Sequence, residues 1–146
     1  MGARDQALAL KLWVVLSRAY TAVARHSELD IARHGLSSGE FAILEVLHHK
    51  GPLLLGEVQR KILASSGGVT YLVDRLEAAG LVERRDCPED RRARYAALTR
   101  KGEQLMKRIF PAHAEAMERA VAGLTPAERR QAVELLKKLG HAAASA

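Results

Sequence analysis

Ser65-Ser66-Gly67-Gly68-Val69-Thr70-Tyr71-Leu72-Val73-Asp74-Arg75-Leu76-Glu77-Ala78-Ala79-Gly80-Leu81-Val82-Glu83-Arg84-Arg85 runs directly into Asp86-Cys87-Pro88-Glu89-Asp90-Arg91-Arg92-Ala93-Arg94. Val69, Leu72, Val73 and Leu76 stand at i, i+3, i+4 and i+7, so the first half predicts a helix with a single apolar stripe. The opposite side is then centred on Gly67, Tyr71, Asp74 and Ala78 and flanked by Thr70 and Arg75. Ser65 or Ser66 is suited to cap the N-terminus, and Gly80 falls where a left-handed cap ends a helix. Small residues at Gly67 and Gly68 weaken a helix in isolation but let its backbone approach a phosphate closely.

After Gly80 the period changes. Leu81 to Arg85 and Arg94 to Leu98 predict two short strands joined by an extended tip around Asp86, Pro88, Glu89 and Asp90. Between Leu81 and Lys101, seven Lys/Arg residues face four acids, and three of the seven lie in Arg91-Arg92-Ala93-Arg94. An arginine at a loop tip suits the narrow minor groove of DNA, where negative potential is concentrated. A small-faced helix followed by an arginine-tipped ribbon outlines a winged helix-turn-helix. The expected fold class is therefore mainly α with a small β-hairpin wing, and the expected DNA contacts are Ser65, Ser66, Gly67, Gly68, Thr70, Tyr71, Arg75, Asp90, Arg91, Arg92 and Arg94.

The order of Gly80-Leu81-Val82, Arg84, Asp90-Arg91-Arg92, Leu98-Thr99 and Lys101-Gly102 resembles the multiple-antibiotic-resistance regulator (MarR) family of bacterial transcription factors. The resemblance extends less sharply over nearly the whole chain. It implies a homodimer, usually a repressor, that leaves DNA when a small, often phenolic, molecule binds or a cysteine is oxidised. The run Asp86 to Arg92 with Tyr95, Leu98-Thr99 and Ile109-Phe110-Pro111-Ala112-His113 looks like a subgroup that includes quinone-responsive repressors, which makes an aromatic effector the expected ligand.

Length and charge agree with that reading. With 146 residues and 48% hydrophobic content the chain is about one domain's worth and sufficient for a real core. A formal charge of +6 favours a polyanionic partner, though net charge alone speaks only for nonspecific attraction. No apolar run is expected to span a membrane and no signal peptide is expected, so a cytoplasmic protein is anticipated. The single Cys87 excludes an intramolecular disulfide.

Around the central stretch the chain is helical. A first helix is expected from about Asp5 to about Arg33, with Leu8, Leu12, Val15, Leu16, Ala19 and Val23 on one side and Lys11, Arg18 and Arg25 on another. Ser37-Ser38-Gly39-Glu40 has capping-box spacing and opens a second helix with Phe41, Leu44 and Leu47 inward, ending at Gly51-Pro52. A third helix, about Leu55 to Leu63, is the first half of the helix-turn-helix, although Leu54 stands where a Ser or Thr cap is common. Thr99 caps a helix containing Pro111, and Thr125-Pro126-Ala127-Glu128 starts a last helix with the stripe Ala132, Leu135, Leu136 and Leu139. The expected organisation is one domain, residues 1–146, with dimerisation helices at 5–34 and 100–141 around a DNA-binding region at 36–99. Two-fold symmetry would then set two recognition helices on a pseudo-palindromic operator in double-stranded DNA.

Other chemistry is weakly signalled. None of the six histidines forms an i, i+4 pair, so no metal site is expected and His48-His49 point apart on a helix. No nucleophile elbow, acid pair or phosphate loop is present, so neither an enzyme nor a cofactor is expected. Cys87 lies in the wing near Arg84, Arg85 and Arg91, where a thiolate would be favoured, and a redox switch there is one alternative. A winged module that binds RNA or protein is another. Trp13, Leu16 and Tyr20 on the first helix, with Phe41, Leu44 and His48 on the second, are candidate walls of an effector pocket, although such residues equally serve as packing.

Overall fold

The computed structural model describes residues 2–62 and 66–146. Its elements in chain order are α1 (Ala3–Arg33), α2 (Ser38–Lys50), β1 (Leu53–Leu54), α3 (Leu55–Ile62), α4 (Ser66–Ala78), β2 (Val82–Cys87), β3 (Asp90–Leu98), α5 (Arg100–Ala120) and α6 (Pro126–Ala144). Two compact units result, one formed by Ser27–Ala114 and one by Met1–His26 with Glu115–Ala146.

In the Ser27–Ala114 unit the apolar stripes close on one core. Ile43 and Leu44 from α2, Val58 from α3, Val73 and Leu76 from α4, Val82 from β2 and Met106 from α5 are fully buried. Each such side chain contributes about 1.5–3 kcal/mol by leaving water. Caps fix where the helices begin. Ser37 accepts the Glu40 N–H while Glu40 accepts the Ser37 N–H, completing the expected capping box. At α3 the missing Ser or Thr is replaced from the other side, because Glu57 accepts the Leu54 N–H at 3.2 Å. Two carboxylates are buried, the capping Glu40 and Asp30. Asp30 lies 3.1 Å from His113 Nδ1 and 3.5 Å from His34 Nε2, and the His113 ring packs on Phe41 at 4.5 Å. His113 is thus a core residue held by a charge partner.

The three strands form an antiparallel sheet ordered β1-β3-β2. β1, two residues long and too short for sequence periodicity to reveal, pairs Leu53 with Ala96 and Leu54 with Tyr95. The hairpin corrects the expected wing. Its strands extend to Cys87 and from Asp90, so the tip is a tight turn at Pro88 and Glu89 and not an extended loop. The ladder continues outward because Asp86 and Arg94, opposite one another, form an ion pair and because Asp90 Oδ1 accepts the Arg92 N–H at 2.9 Å. A register shift at Asp86 and Cys87 accommodates the bend.

The other unit is built from long helices. Thr125 and Glu128 form a second reciprocal capping box, with Pro126 in the first turn of α6. Thr125 holds the Glu128 carboxyl below its ordinary value by donating its N–H and by aligning its hydroxyl. The expectation that no run could span a membrane is corrected for α1, which by length and composition alone is long and apolar enough, with a mean hydropathy of 1.4 over its best window. The reason is that Leu, Val and Ala far outnumber Lys11 and Arg18 along it. Those charges nevertheless recur regularly, because Arg4, Lys11, Arg18 and Arg25 stand seven apart and share one face.

Candidate nucleic-acid interface

α4 buries Val69, Val73 and Leu76 and leaves Gly67, Thr70, Tyr71, Asp74 and Arg75 exposed, as the spacing predicts. At Gly67 an added Cβ would meet only open space, so its smallness is not demanded by packing within the chain. Arg75 approaches the Tyr71 ring at 5.8 Å and its hydroxyl at 3.5 Å, and lies 3.9 Å from Glu40. The outward face therefore presents a planar cation backed by an aromatic ring. Ser65 lies outside the described residues, so its cap and contact roles are not placed.

What the sequence did not disclose is how this helix is tied to the wing. Arg84 of β2 reaches back to α4, with Nη2 2.7 Å from Asp74 Oδ1 and Nη1 2.9 Å from Glu77 Oε1, while its own N–H donates to Glu77 Oε2 at 3.1 Å. One guanidinium thus pairs with two carboxylates on the helix expected to face a polyanion and offsets part of their charge. The charge alternation around Glu83-Arg84-Arg85 was visible, but nothing local in it distinguishes Arg84, half-buried between its partners, from Arg85, which pairs with its neighbour Glu83.

The end of α4 explains the Gly80, Thr99 and Lys101-Gly102 spacing. Gly80 adopts φ +76°, the left-handed geometry that ends the helix. Thr99 donates its hydroxyl to Gly80 O at 2.6 Å and accepts the Gly102 N–H at 3.1 Å, capping α5 while bracing α4. Lys101 Nζ donates to Ala79 O at 2.9 Å. Gly102 passes so close to Leu81 that a Cβ would overlap its carbonyl oxygen. Residues nearly twenty positions apart are thereby locked into one joint between recognition helix and wing.

In the wing, Arg91 and Arg92 are exposed and their side chains carry no ion pair among the described residues, whereas Arg94 is held by Asp86. Asp90 fixes the Arg92 backbone and not its guanidinium. Cys87, expected in the loop of the wing, is the last residue of β2 and only 7% exposed. Its thiol, beside Tyr95, pushes the Tyr95 phenol above its ordinary value.

The candidate effector residues fall in both units. Trp13 and Tyr20 of α1 are 66% and 73% exposed, and Leu16 is half-buried. Phe41 and Leu44, by contrast, are committed to the core of the Ser27–Ala114 unit at 3% and 0%. His48 is half-buried, with its ring 6.0 Å from that of Phe110. Among the described residues no cluster of three metal-ligating side chains occurs.

A small-faced recognition helix, a braced hairpin and exposed arginines at its tip define a winged-helix DNA-binding protein. Residues 34–93 match the model of the MarR family. The chain is 44% identical over 131 residues to the HTH-type transcriptional regulator MhqR of Bacillus subtilis, covering 90% of each protein. It is also similar to Sco3205, a MarR family regulator from Streptomyces coelicolor solved in complex with DNA (26% identity, TM-score 0.83, 97% of this chain and 89% of that one). BpsR of Bordetella bronchiseptica, described in terms of regulation of its DNA binding by 6-hydroxynicotinic acid, shares 28% identity at a TM-score of 0.78, over 86% of this chain and 90% of its own. The chain belongs to the MarR family, and is a DNA-binding transcriptional regulator and not an enzyme.

Proposed function

We propose that the protein is a cytoplasmic homodimeric repressor that leaves its operator when a small aromatic or phenolic effector binds. The observation that carries the dimer is the apolar surface of the Met1–His26 and Glu115–Ala146 unit, where Leu8, Leu12, Val15, Leu135, Leu136 and Leu139 remain exposed. Leu8, Leu12, Val15 and Ala19 follow alternating spacings of four and three, the seam of paired helices, and the basic residues seven apart border that seam along one edge. A second copy of the same unit satisfies both patterns. A lipid bilayer would leave Lys11 and Arg18 in hydrocarbon.

On DNA, Gly67, Gly68, Thr70, Tyr71 and Arg75 meet the major groove, with Ser65 and Ser66 assigned to the DNA backbone. Arg91 and Arg92 of the wing reach the minor groove, and Asp90 and Arg94 stiffen the hairpin behind them. The effector class is supported by BpsR, whose DNA binding is regulated by a hydroxylated aromatic acid. The test is operator binding followed by fluorescence anisotropy across a panel of phenols, hydroxybenzoates and quinones, with the assembly sized in parallel. A dimer released by at least one of these compounds is expected. A monomer, or a dimer that every compound leaves bound while oxidants release it, would refute the reading and transfer sensing to Cys87.

A further inference from the structure

In the major groove, guanine is recognised by Arg or Lys and adenine by Asn or Gln, while Asp or Glu accepts a bond from cytosine. The residues of α4 include no Lys, Asn or Gln, and its three charged side chains are engaged within the protein. Arg84 holds Asp74 and Glu77, and Arg75 is shared by the Tyr71 ring and Glu40. Ser and Thr hydroxyls bond to more than one base and discriminate poorly. The large side chain that remains on the outward face is Tyr71, which is 61% exposed. One turn earlier on the same side stands Gly67, where an added Cβ would meet only open space. Helical side chains lean over the turn before their own Cα, so the bare Gly67 leaves a shallow notch beside the Tyr71 ring.

An aromatic wall beside an empty glycine position suits one feature of the major groove, the 5-methyl group that thymine alone among the four bases projects there. We infer that Tyr71 is a specificity-determining residue that reads a thymine methyl in each half-site, with Gly67 giving the base edge room to approach and Arg75 steadying the ring. The inference deepens the DNA reading and rests on it for the placement of α4 in the major groove. Sequence preference then comes from apolar contact on α4, while the exposed arginines of the wing contribute attraction that any duplex would share.

The duplex that the full chain retains from a random pool is resynthesised with deoxyuridine in place of thymidine, which removes the methyl groups and keeps the base pairing. Affinities for both duplexes are then measured by fluorescence anisotropy for the parent, Tyr71→Phe and Tyr71→Ala. The parent should lose about fourfold for each methyl read, hence about fifteenfold over two half-sites. Single replacements should trace that loss to one position in each half-site. Tyr71→Phe should keep the discrimination, whereas Tyr71→Ala should bind the thymine duplex more weakly and no longer distinguish it from the uracil one. Equal affinity of the parent for both duplexes, discrimination that survives in Tyr71→Ala, or discrimination lost in Tyr71→Phe would overturn the assignment while leaving α4 in the groove. The first of these comparisons needs no variant, so it stands even where a substitution disturbs the fold. If folded Tyr71→Ala binds the thymine duplex as tightly as the parent, or if the parent retains no duplex from the pool, the underlying reading fails and the inference with it.

Discussion

The unit of Ser27–Ala114 and the unit of Met1–His26 with Glu115–Ala146 solve the same problem in opposite ways. In the first, apolar side chains from five helices and the sheet converge on one core, and its outward face is set by what that core leaves over. In the second, the helices are just as apolar but keep that surface in solvent. Apart from Leu29 and Tyr71, every large apolar side chain exposed among the described residues lies in this second unit. The lesson is that similar amphipathic patterns do different work. One stripe folds the DNA-reading unit, and the other waits for a partner, which we assign to a second copy of the chain.

The largest expected effect breaks the second unit while sparing the first. Leu12→Asp combined with Leu135→Asp places charges on the exposed apolar surface. It should yield a folded monomer by light scattering, with operator affinity down by at least about a hundredfold as one half-site's contacts are lost. A variant that remains dimeric would move the interface elsewhere. The converse cut is Leu44→Ala, in the closed core, which should cost about 2–5 kcal/mol in chemical denaturation. A cost below 1 kcal/mol, on the order of a surface change, would mean that this core is not the organising one.

Smaller effects sharpen the account of the outward face. Arg84→Ala leaves Asp74 and Glu77 without their shared cation, so operator binding should fall by about tenfold while the melting temperature changes little. Adding Asp74→Asn and Glu77→Gln should restore much of the affinity, which a purely structural role for Arg84 would not allow. Arg92→Ala should weaken binding severalfold and reduce the salt slope by about one if its side chain contacts phosphate.

The smallest effect is a pH dependence. Because Thr125 lowers the Glu128 carboxyl in the fold, its stabilisation is present above the ordinary value of 4.5 and lost as pH falls through the lower folded value. Thermal melts of Glu128→Gln should therefore differ from the parent at neutral pH and converge with it in acid. A constant difference down to strong acid would remove the capping carboxylate from the explanation.

Much of the fold was legible because its signals are local. The i, i+3, i+4, i+7 spacing of Val69 to Leu76, the two capping boxes and the left-handed Gly80 each depend on residues within a turn or two. The wing was legible as a hairpin but not in its length, since the Asp86 and Arg94 pair that carries the ladder outward exists only once the register is known. β1 escaped because two residues hold no period. His113 escaped for a similar reason, as its partner Asp30 lies 83 positions away and nothing near Pro111 announces it. Arg84 and Arg85 look alike in sequence, and only the packing of β2 on α4 separates the clamp from the surface pair. The spacing of Thr99, Lys101 and Gly102 was recognised as a pattern, and the joint at Gly80 supplies its cause.

The central claim is that two copies of the Ser27–Ala114 unit, held by the helical units, read duplex DNA together. The most direct measurement is selection of bound fragments by the purified protein from random double-stranded DNA, with single-stranded RNA offered in parallel. The account predicts enrichment of a pseudo-palindrome whose half-site centres are separated by about one helical turn, on the order of ten base pairs, and loss of that enrichment in Arg92→Ala with Arg75→Ala. Enrichment of an unpaired half-site, no enrichment at all, or preference for the RNA would contradict it.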